Sequence, residues 1–170
     1  MYVLITGRSG TGKSTICREL LDRGFTALDA DRIEGFVGWF DLDTLQKVEV
    51  DYTEPIDKSK VGWLWQHEAM KALVAKYRDL ILCGSADNQF EFYDYFDKVF
   101  VLNLPPEEQT KRILSRTEHD YGKLPTMLEQ IIIEQATLVE KSQVLGAYVI
   151  NAQPIPNVIC DQILKVIYDN

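Results

Sequence analysis

Eight residues near the start of the chain combine glycines, a lysine and hydroxyl groups in an order that suits phosphate binding. The run reads GRSGTGKS from Gly7 to Ser14 and matches the pattern G-x-x-x-x-G-K-[ST] without a gap. Glycines let such a loop curl until successive backbone N–H groups point inward and form a nest for an anion. Lys13 then supplies a positive charge for the β- and γ-phosphates of a nucleotide, and Ser14 offers a hydroxyl to Mg²⁺. The predicted nucleotide-contacting residues of this loop are Gly7, Ser9, Gly10, Thr11, Gly12, Lys13, Ser14 and Thr15.

The residues on either side of the loop predict the elements that hold it. Residues 2–5 are an unbroken apolar run, as in a parallel strand that is buried on both faces. After the loop, Ile16, Leu20 and Leu21 recur at helical spacing. The dipole of that helix favours an anion at its N-terminus. A dinucleotide-binding fingerprint is excluded because no third glycine follows Gly12 where the helix would need one.

Two acids stand where a second strand is predicted to end. Asp29 and Asp31 follow the apolar residues of segment 25–29. Both carboxylates are expected at the edge of the sheet where α/β proteins bind ligands. The alternative is that they are solvated loop acids, or that Asp31 caps the helix that follows.

Basic side chains lie on a predicted helix that opens with two prolines and two glutamates. Arg112 and Arg116 are four residues apart and are expected on one face of that helix. They are candidates for phosphate contact, as is Lys123 in the polar segment that follows. The alternative is an exposed helical face on which the arginines pair with Glu107 or Glu108.

The rest of the chain predicts an α/β architecture. Further strands are expected at residues 79–84, 98–102 and 147–150, and the closing helix begins near residue 155. Residues 32–60 predict a helix and then an irregular insert, residues 61–77 place apolar side chains on one helical face, and residues 126–129 form a capping box. Five strands that alternate with helices predict a parallel sheet with right-handed crossovers.

Composition sets outer limits on function. The chain has 170 residues, 46% of them hydrophobic, and no proline- or glycine-rich linker, so a single domain over residues 1–170 is expected. A net charge of −8 argues against a nucleic-acid surface. Three scattered cysteines predict neither a disulfide framework nor a zinc site and are expected to be buried. The first residues are a predicted strand rather than a signal peptide, and no apolar run is long enough to span a membrane, so a cytoplasmic location is expected.

Taken with these elements, the chain resembles the group of P-loop kinases that contains adenylate kinase, shikimate kinase and gluconate kinase. The motifs that carry the resemblance are the phosphate loop, Asp29-Ala30-Asp31, which is similar to the D-x-D of shikimate kinase, and Asn151-Ala152-Gln153-Pro154, which looks like the family's adenine-side loop. The resemblance implies a three-layer P-loop NTPase fold with a five-stranded parallel sheet, helices on both faces and a lid.

The same resemblance implies roles for particular residues. It implies an ATP-dependent phosphotransferase in which Asp29 lies near Mg²⁺ with Ser14 and Asp31 contacts the hydroxyl of the acceptor. Residues 116–125 lie where the family has its lid, which would bring Arg116 and Lys123 onto the transferring phosphate. Gln153 and Pro154 would lie beside the adenine, and the insert over residues 32–66 would lie on the acceptor side.

The acceptor itself is only weakly constrained. Adenylate kinases follow the third strand with an acidic-glycine-arginine motif that holds the acceptor phosphate, whereas this chain has Cys83-Gly84-Ser85. A nucleoside or nucleotide is placed slightly ahead of a sugar or hydroxy acid, because Trp39 or Trp63 could stack a ring and the lysines of the insert could supply charge.

Two other classes of function were weighed against a kinase. A switch GTPase would carry D-x-x-G and N-K-x-D motifs, and the sequence has neither. An ATP-binding NTPase or a nucleotide-dependent regulator without a small-molecule acceptor is the alternative that stays open. The expected assembly is a monomer or a homodimer that binds ATP, Mg²⁺ and the acceptor.

Overall fold

A computed structural model describes residues 1–169 and contains a parallel sheet of five strands with helices on both faces. The parallel strands lie in the order β2-β5-β1-β6-β7, and a separate antiparallel pair joins β3 to β4. The predicted α/β fold with its five-stranded parallel sheet is therefore confirmed. The strands are β1 (Tyr2–Thr6), β2 (Ala27–Asp29), β3 (Val37–Asp41), β4 (Val61–Trp65), β5 (Leu80–Cys83), β6 (Lys98–Asn103) and β7 (Tyr148–Asn151).

Alternation along the central strand divides the core into two layers. Val3 and Ile5 of β1 face one layer, which the first and last helices cover, and Leu4 faces the other. A strand flanked by parallel neighbours and helices on both faces must be apolar at every position, which explains the unbroken run at its start. The helices are α1 (Lys13–Asp22), α2 (His67–Lys76), α3 (Pro106–Ser115), α4 (Pro125–Val144) and α5 (Pro156–Tyr168).

The segment after β2 differs from its prediction. Residues 32–60 contain no α-helix; instead β3 pairs with β4 as an antiparallel hairpin, with Trp39 opposite Trp63. The predicted helix over residues 61–77 is also wrong in its first part, because β4 occupies it and α2 begins only at His67. The spacing of the apolar residues here is compatible with the helical period and with the strand period. The hairpin forms because β3 and β4, about twenty residues apart in the chain, pair with each other.

At helix ends, two local predictions and one alternative interpretation were wrong. Arg116 lies just past the end of α3 in an extended conformation, so it does not share a helical face with Arg112. Helix α4 begins at Pro125 after Leu124 without a side-chain cap, because proline already occupies the first helical position and no capping box forms. Asp31 does not cap a helix; the side chain of Asp29 caps the short 3-10 helix that contains Asp31.

The cysteine prediction is confirmed, since Cys17, Cys83 and Cys160 are all buried and unbridged. Within residues 1–169, none of the helices combines the length and the apolar character that a membrane crossing requires.

Candidate active site

The phosphate loop connects β1 to α1 with the backbone that its glycines were expected to provide. Gly10 and Gly12 have φ values of 85° and 100°, in the region that favours glycine. A Cβ at Gly10 would lie 2.7 Å from Cγ1 of Ile113, and one at Gly7 would lie 2.6 Å from Oγ1 of Thr11. Side chains at these positions would therefore push the loop away from α3 and open its curl.

Lys13 opens helix α1 and folds its amine back over the loop. Its Nζ atom donates to the carbonyl oxygen of Gly7 at 2.5 Å and to that of Arg8 at 3.3 Å. Burial lowers the pKa of Lys13, while the carboxylates of Asp31 and Asp29 oppose this change. The ammonium group is thus held among carbonyl dipoles and two acids at the mouth of the loop, where a phosphate would meet it.

The two acids after β2 have different surroundings. Oδ1 of Asp29 accepts a hydrogen bond from the backbone N–H of Asp31 at 3.2 Å, which fixes the turn between them. Solvent in the cleft reaches Asp31, yet protein surrounds the carboxyl group on most sides. Burial raises the pKa of Asp31, and Asp29 adds to this rise, whereas Lys13 and a hydrogen bond from Trp63 oppose it. The Asp31 carboxylate is therefore a better proton acceptor than an aspartate whose pKa is not raised.

A cavity of about 660 Å³ lies over the phosphate loop. It brings together most of the predicted nucleotide-binding residues, with the predicted Mg²⁺ ligands Ser14 and Asp29 on its wall. An arginine anchors the cavity on each of two sides, since Arg112 donates to the carbonyl oxygen of Ala152 at 3.1 Å and Arg116 donates to Oγ of Ser9 at 2.6 Å. The predicted residues that line it are Ser9, Gly10, Thr11, Gly12, Lys13, Ser14, Thr15, Asp29, Asp31, Arg112, Arg116 and Pro154.

Three predicted nucleotide contacts do not line this cavity. One of them is Gly7, which is buried at the start of the loop. Lys123 pairs with Asp120 at 2.9 Å and does not line the cavity. Gln153 is exposed beside Pro154 and lies along a groove between α3 and α4 rather than over the phosphate loop. The alternative in which the arginines pair with glutamates of the same helix is present in part, because Nε of Arg112 lies 3.7 Å from Glu108.

The hairpin and the segment after α3 enclose a second cavity of about 320 Å³. Trp39 and Trp63 pack with their ring centroids 5.5 Å apart, and Tyr121 lies 6.1 Å from Trp39. Tyr52 completes this wall, since its ring lies 5.3 Å from that of Tyr121 and its hydroxyl accepts a hydrogen bond from Nε1 of Trp39. Four aromatic rings from three segments of the chain thus form one continuous face.

Charged residues form the opposite side of this second cavity. Arg8 donates to Oδ1 of Asp87 at 3.0 Å and lies 3.4 Å from Glu134. Lys58 pairs with Oδ2 of Asp87 and places its amine 4.7 Å from the centre of a Trp39 ring. Sequence reasoning proposed the insert lysines as a group, and of these Lys58 lines the cavity whereas Lys60 is exposed and pairs with Asp57.

Several residues of this second cavity were missed from the sequence. Arg8 stands at a variable position of the phosphate-loop pattern, and Asp87 follows the third parallel strand by four residues. No acid and no arginine stand directly after that strand. Arg8 and Asp87 nevertheless bring one positive and one negative charge together from different segments of the chain. Only a search for unassigned charges close to strand ends would have indicated them.

The two cavities meet along a shared wall. Ser9, Lys13, Asp31 and His119 line both of them. Burial and the charge of Arg116 lower the pKa of His119, so the imidazole is neutral near pH 7. A phosphate held by the loop would therefore face a molecule in the aromatic cavity across Lys13 and Asp31.

The donors near the loop fit Mg²⁺ rather than a metal held by protein alone. In the part of the chain that the structure describes, no three histidine, cysteine or acidic side chains converge on one point. Ser14 and Asp29 supply one hydroxyl and one carboxylate on the same cavity wall. Mg²⁺ is commonly held by one or two protein groups together with water and substrate phosphates. Ser14 and Asp29 can provide the protein groups.

With the fold and the cavities described, comparison with known proteins gives the family. A sequence model described as AAA domain matches residues 3–136, and the chain belongs to this family. No curated protein matches the chain in sequence.

Solved structures share the fold over almost the whole chain. Shikimate kinase from Acinetobacter baumannii, in complex with shikimate, is 18% identical with a TM-score of 0.63, and the match covers 99% of this chain and 93% of that one. Deoxyadenosine kinase from M. mycoides with bound dATP is 14% identical with a TM-score of 0.60, covering 98% and 99%. A gluconokinase from Sinorhizobium meliloti is 13% identical with a TM-score of 0.56, covering 94% and 87%. The chain therefore has the P-loop fold that these small-molecule kinases share.

Proposed function

We propose that the protein is an ATP-dependent kinase that transfers the γ-phosphate to a hydroxyl group of a small molecule. The observation that carries this proposal is the shared wall, since a loop built for phosphates and a separate enclosed cavity meet at Lys13 and Asp31. An ATPase without an acceptor needs only the first of these cavities. The kinases among the solved structures with this fold support the same class of reaction.

In the proposed reaction the hydroxyl oxygen of the acceptor attacks the γ-phosphorus of ATP and forms the new oxygen–phosphorus bond. The bond from the γ-phosphorus to the oxygen that bridges it to the β-phosphorus breaks, and that oxygen leaves with the electron pair as part of ADP. The hydroxyl proton passes to Asp31 and then to solvent. Phosphoryl transfer depends mainly on position and charge, so Asp31 serves to orient the hydroxyl as well as to accept its proton.

The remaining groups bind and neutralise the phosphates. The backbone N–H groups of the loop and the Lys13 amine hold the β- and γ-phosphates, and Arg116 and Arg112 add positive charge from the side of α3. Ser14 and Asp29 would hold Mg²⁺, which neutralises phosphate charge when it is bound. Pro154 forms part of the wall at the exit of β7, where the adenine would lie.

Residues 116–125 are proposed to act as a lid. Their segment contributes Arg116 to the nucleotide cavity and Tyr121 to the aromatic cavity, so its closure would enclose both substrates. Lys123 enters this proposal only if closure frees it from Asp120. A cytoplasmic location, a single domain and a monomeric or homodimeric assembly stay predictions.

A panel of potential acceptors tests the proposed function. The protein is incubated with ATP and Mg²⁺ and, in separate reactions, with nucleosides, nucleoside monophosphates, sugars and hydroxy acids, and product mass is measured. Transfer to at least one acceptor, lost in Asp31→Asn, is the expected result. ADP formation that is the same in every reaction, with no phosphorylated product, would favour the alternative of an NTPase or nucleotide-dependent regulator.

A further inference from the structure

The charges in the aromatic cavity limit what can bind there. Three cations line it, namely Arg8 and Lys13 of the phosphate loop and Lys58 of the insert. Of these, Lys13 is the cation proposed to bind the nucleotide phosphates. The other two, Arg8 and Lys58, both pair with Asp87, and Arg8 also lies beside Glu134. Among the described residues that line this cavity, each acceptor-side cation thus already faces a carboxylate.

These ion pairs are also shielded from water. The side chains of Arg8, Lys58 and Asp87 are 17%, 18% and 22% exposed. Asp87 is further tied to the hairpin, since Oδ2 accepts the backbone N–H of Trp63 at 2.8 Å. An anionic ligand that drew both Arg8 and Lys58 to itself would leave the Asp87 carboxylate without a cation in a largely closed site, which is unfavourable.

Apart from Lys13 and Asp31, which serve the phosphoryl transfer itself, the groups left to recognise a ligand are uncharged. Ser85, Tyr52 and Tyr121 present hydroxyls, and His119 is neutral because burial lowers its pKa. The aromatic wall offers the faces and edges of rings that are tilted about 60° to one another, and such groups pack well against a further ring. The cavity volume of about 320 Å³ lies at the small end of the range for ligand pockets, roughly 300–1,000 Å³, and suits one ring system with a sugar-sized group.

We propose that the acceptor is an uncharged molecule with a flat ring and a free hydroxyl, of the size of a nucleoside, and that the pairing of Arg8 and Lys58 with Asp87 excludes phosphorylated and carboxylate acceptors. This inference rests on the proposed kinase function. It makes Asp87 a specificity-determining residue that acts through the two cations rather than on the reacting atoms.

Matched acceptors test the inference in the wild-type protein. The four ribonucleosides and four deoxyribonucleosides are each compared with their own monophosphates, with shikimate and gluconate as carboxylates and ribose as a neutral molecule without a flat aromatic ring. The transfer efficiency kcat/KM is expected to be about 100-fold or more higher for at least one nucleoside than for its monophosphate.

A variant that frees the cations makes the test sharper. Asp87→Asn keeps the shape of the side chain and an oxygen for the Trp63 N–H while removing the charge that holds Arg8 and Lys58. The ratio of monophosphate to nucleoside efficiency should rise by about 10-fold or more, because freed cations can pair with phosphate. Lys58→Met in the Asp87→Asn background should reverse part of this rise, and Lys60→Met is the matched control that should leave the ratio unchanged.

The outcomes separate the two proposals. Preferred transfer to monophosphates or carboxylates in the wild type would overturn the neutral-acceptor inference and leave the kinase function intact. A higher transfer efficiency with ribose than with every nucleoside would overturn the requirement for a flat ring. An unchanged ratio in a folded Asp87→Asn protein would overturn the role of Asp87. ATP hydrolysis with no transfer to any acceptor would overturn the proposed function itself, and the inference with it.

Discussion

Lys13 and Asp31 are the two oppositely charged side chains that line both cavities. Their surroundings act in opposite directions on their charges, since burial lowers the pKa of Lys13 and raises that of Asp31. Burial therefore disfavours the charged form of each side chain, whereas the opposite charge of the other side chain favours it. Such a pair is ready to respond to substrate, because a phosphate would stabilise the ammonium and draw it away from Asp31.

Replacing Lys13 by Met should separate function from folding. The variant removes a positive charge from the phosphates while keeping an aliphatic side chain in the loop. Transfer should fall by about 100-fold or more and ATP should bind more weakly. Because burial lowers the pKa of Lys13, the ammonium destabilises the native state at neutral pH, so the midpoint of thermal unfolding should not fall. Calorimetry with undiminished ATP affinity and turnover would contradict this role.

Asp31 should determine the acid side of the pH–rate profile. Its raised pKa means that the Asp31 carboxylate takes up a proton at a higher pH than an ordinary aspartate does, whose pKa is about 3.9. Transfer should therefore decline as the pH falls through this raised value, and Asp31→Asn should lack the decline and be slower by about 100-fold or more. Asp22→Asn, at the exposed end of α1, is the control that should keep the wild-type profile. A profile of the same shape in Asp31→Asn would contradict the assignment.

The same shift predicts a change in stability. A native aspartate with a raised pKa binds its proton more tightly than the unfolded chain does, so stability falls as the pH rises from the ordinary value through the raised one. Above the raised pKa this loss is complete, and Asp31→Asn avoids it. The variant should unfold at a higher denaturant concentration than the wild type at pH 7, with a smaller difference at pH 4. Equal midpoints at both values would contradict the linkage.

The segment between α3 and α4 links the two cavities. Arg116 donates to Ser9 in the phosphate loop and also to the backbone carbonyl of Tyr121, whose ring packs on Tyr52 of the insert. Movement of this segment would therefore change both cavities together. Gly122, with a φ of 86° and a Cβ position only 2.6 Å from Ile131, allows the chain to turn here where other residues would clash.

Amide hydrogen exchange should report closure of this lid. We expect residues 117–125 to exchange more slowly when a non-hydrolysable ATP analogue and an acceptor are both bound than with either alone, because both cavities contribute to the enclosure. Helix α2 is the internal control, since it packs in the second layer of the core and lines neither cavity. Equal exchange of residues 117–125 in all four ligation states would contradict a lid.

The hairpin should report acceptor binding through its tryptophans. Trp63 is half-buried on the cavity wall, whereas Trp65 is fully buried in the core and does not line the cavity. Binding of a ring-bearing acceptor should change the emission of Trp63 and leave that of Trp65 as background. Trp63→Phe should lose the part of this change that Trp63 contributes and keep the part from Trp39, which lines the same wall, and ribose, which has no aromatic ring, should cause little change in either protein. An equal change in both proteins would contradict stacking on this wall.

The whole molecule shows why one half of the site could be predicted and the other could not. The phosphate loop, its strand and its helix are contiguous in sequence, so residue type and spacing were enough to predict them. The acceptor cavity joins Arg8, the hairpin, Asp87 and Tyr121, which are more than a hundred residues apart at the extremes. No local period connects such residues, and the hairpin itself was mistaken for a helix because its pairing is also non-local.

The arrangement of the sheet is what brings these distant residues together. Strands β1, β2 and β5 are neighbours, and the segments that leave their carboxyl ends carry the phosphate loop, Asp29 with Asp31, and Asp87. Ligands bind in α/β proteins at this edge, where loops from adjacent strands converge. The net charge of −8 is compatible with ATP binding, because a local group of basic side chains lines the cavity over the phosphate loop, namely Lys13, Arg18, Arg32, Arg112 and Arg116.

The most direct test of the central claim follows the γ-phosphoryl group in water labelled with heavy oxygen. The protein is given ATP, Mg²⁺ and the mixture of nucleosides, and both phosphorylated acceptor and inorganic phosphate are analysed by mass. A kinase with adjoining donor and acceptor cavities should place the phosphoryl group on an acceptor without heavy oxygen, in equal amount to ADP, and Asp31→Asn should abolish this product. Heavy-oxygen phosphate as the sole product, in the same amount with and without acceptor, would contradict the claim.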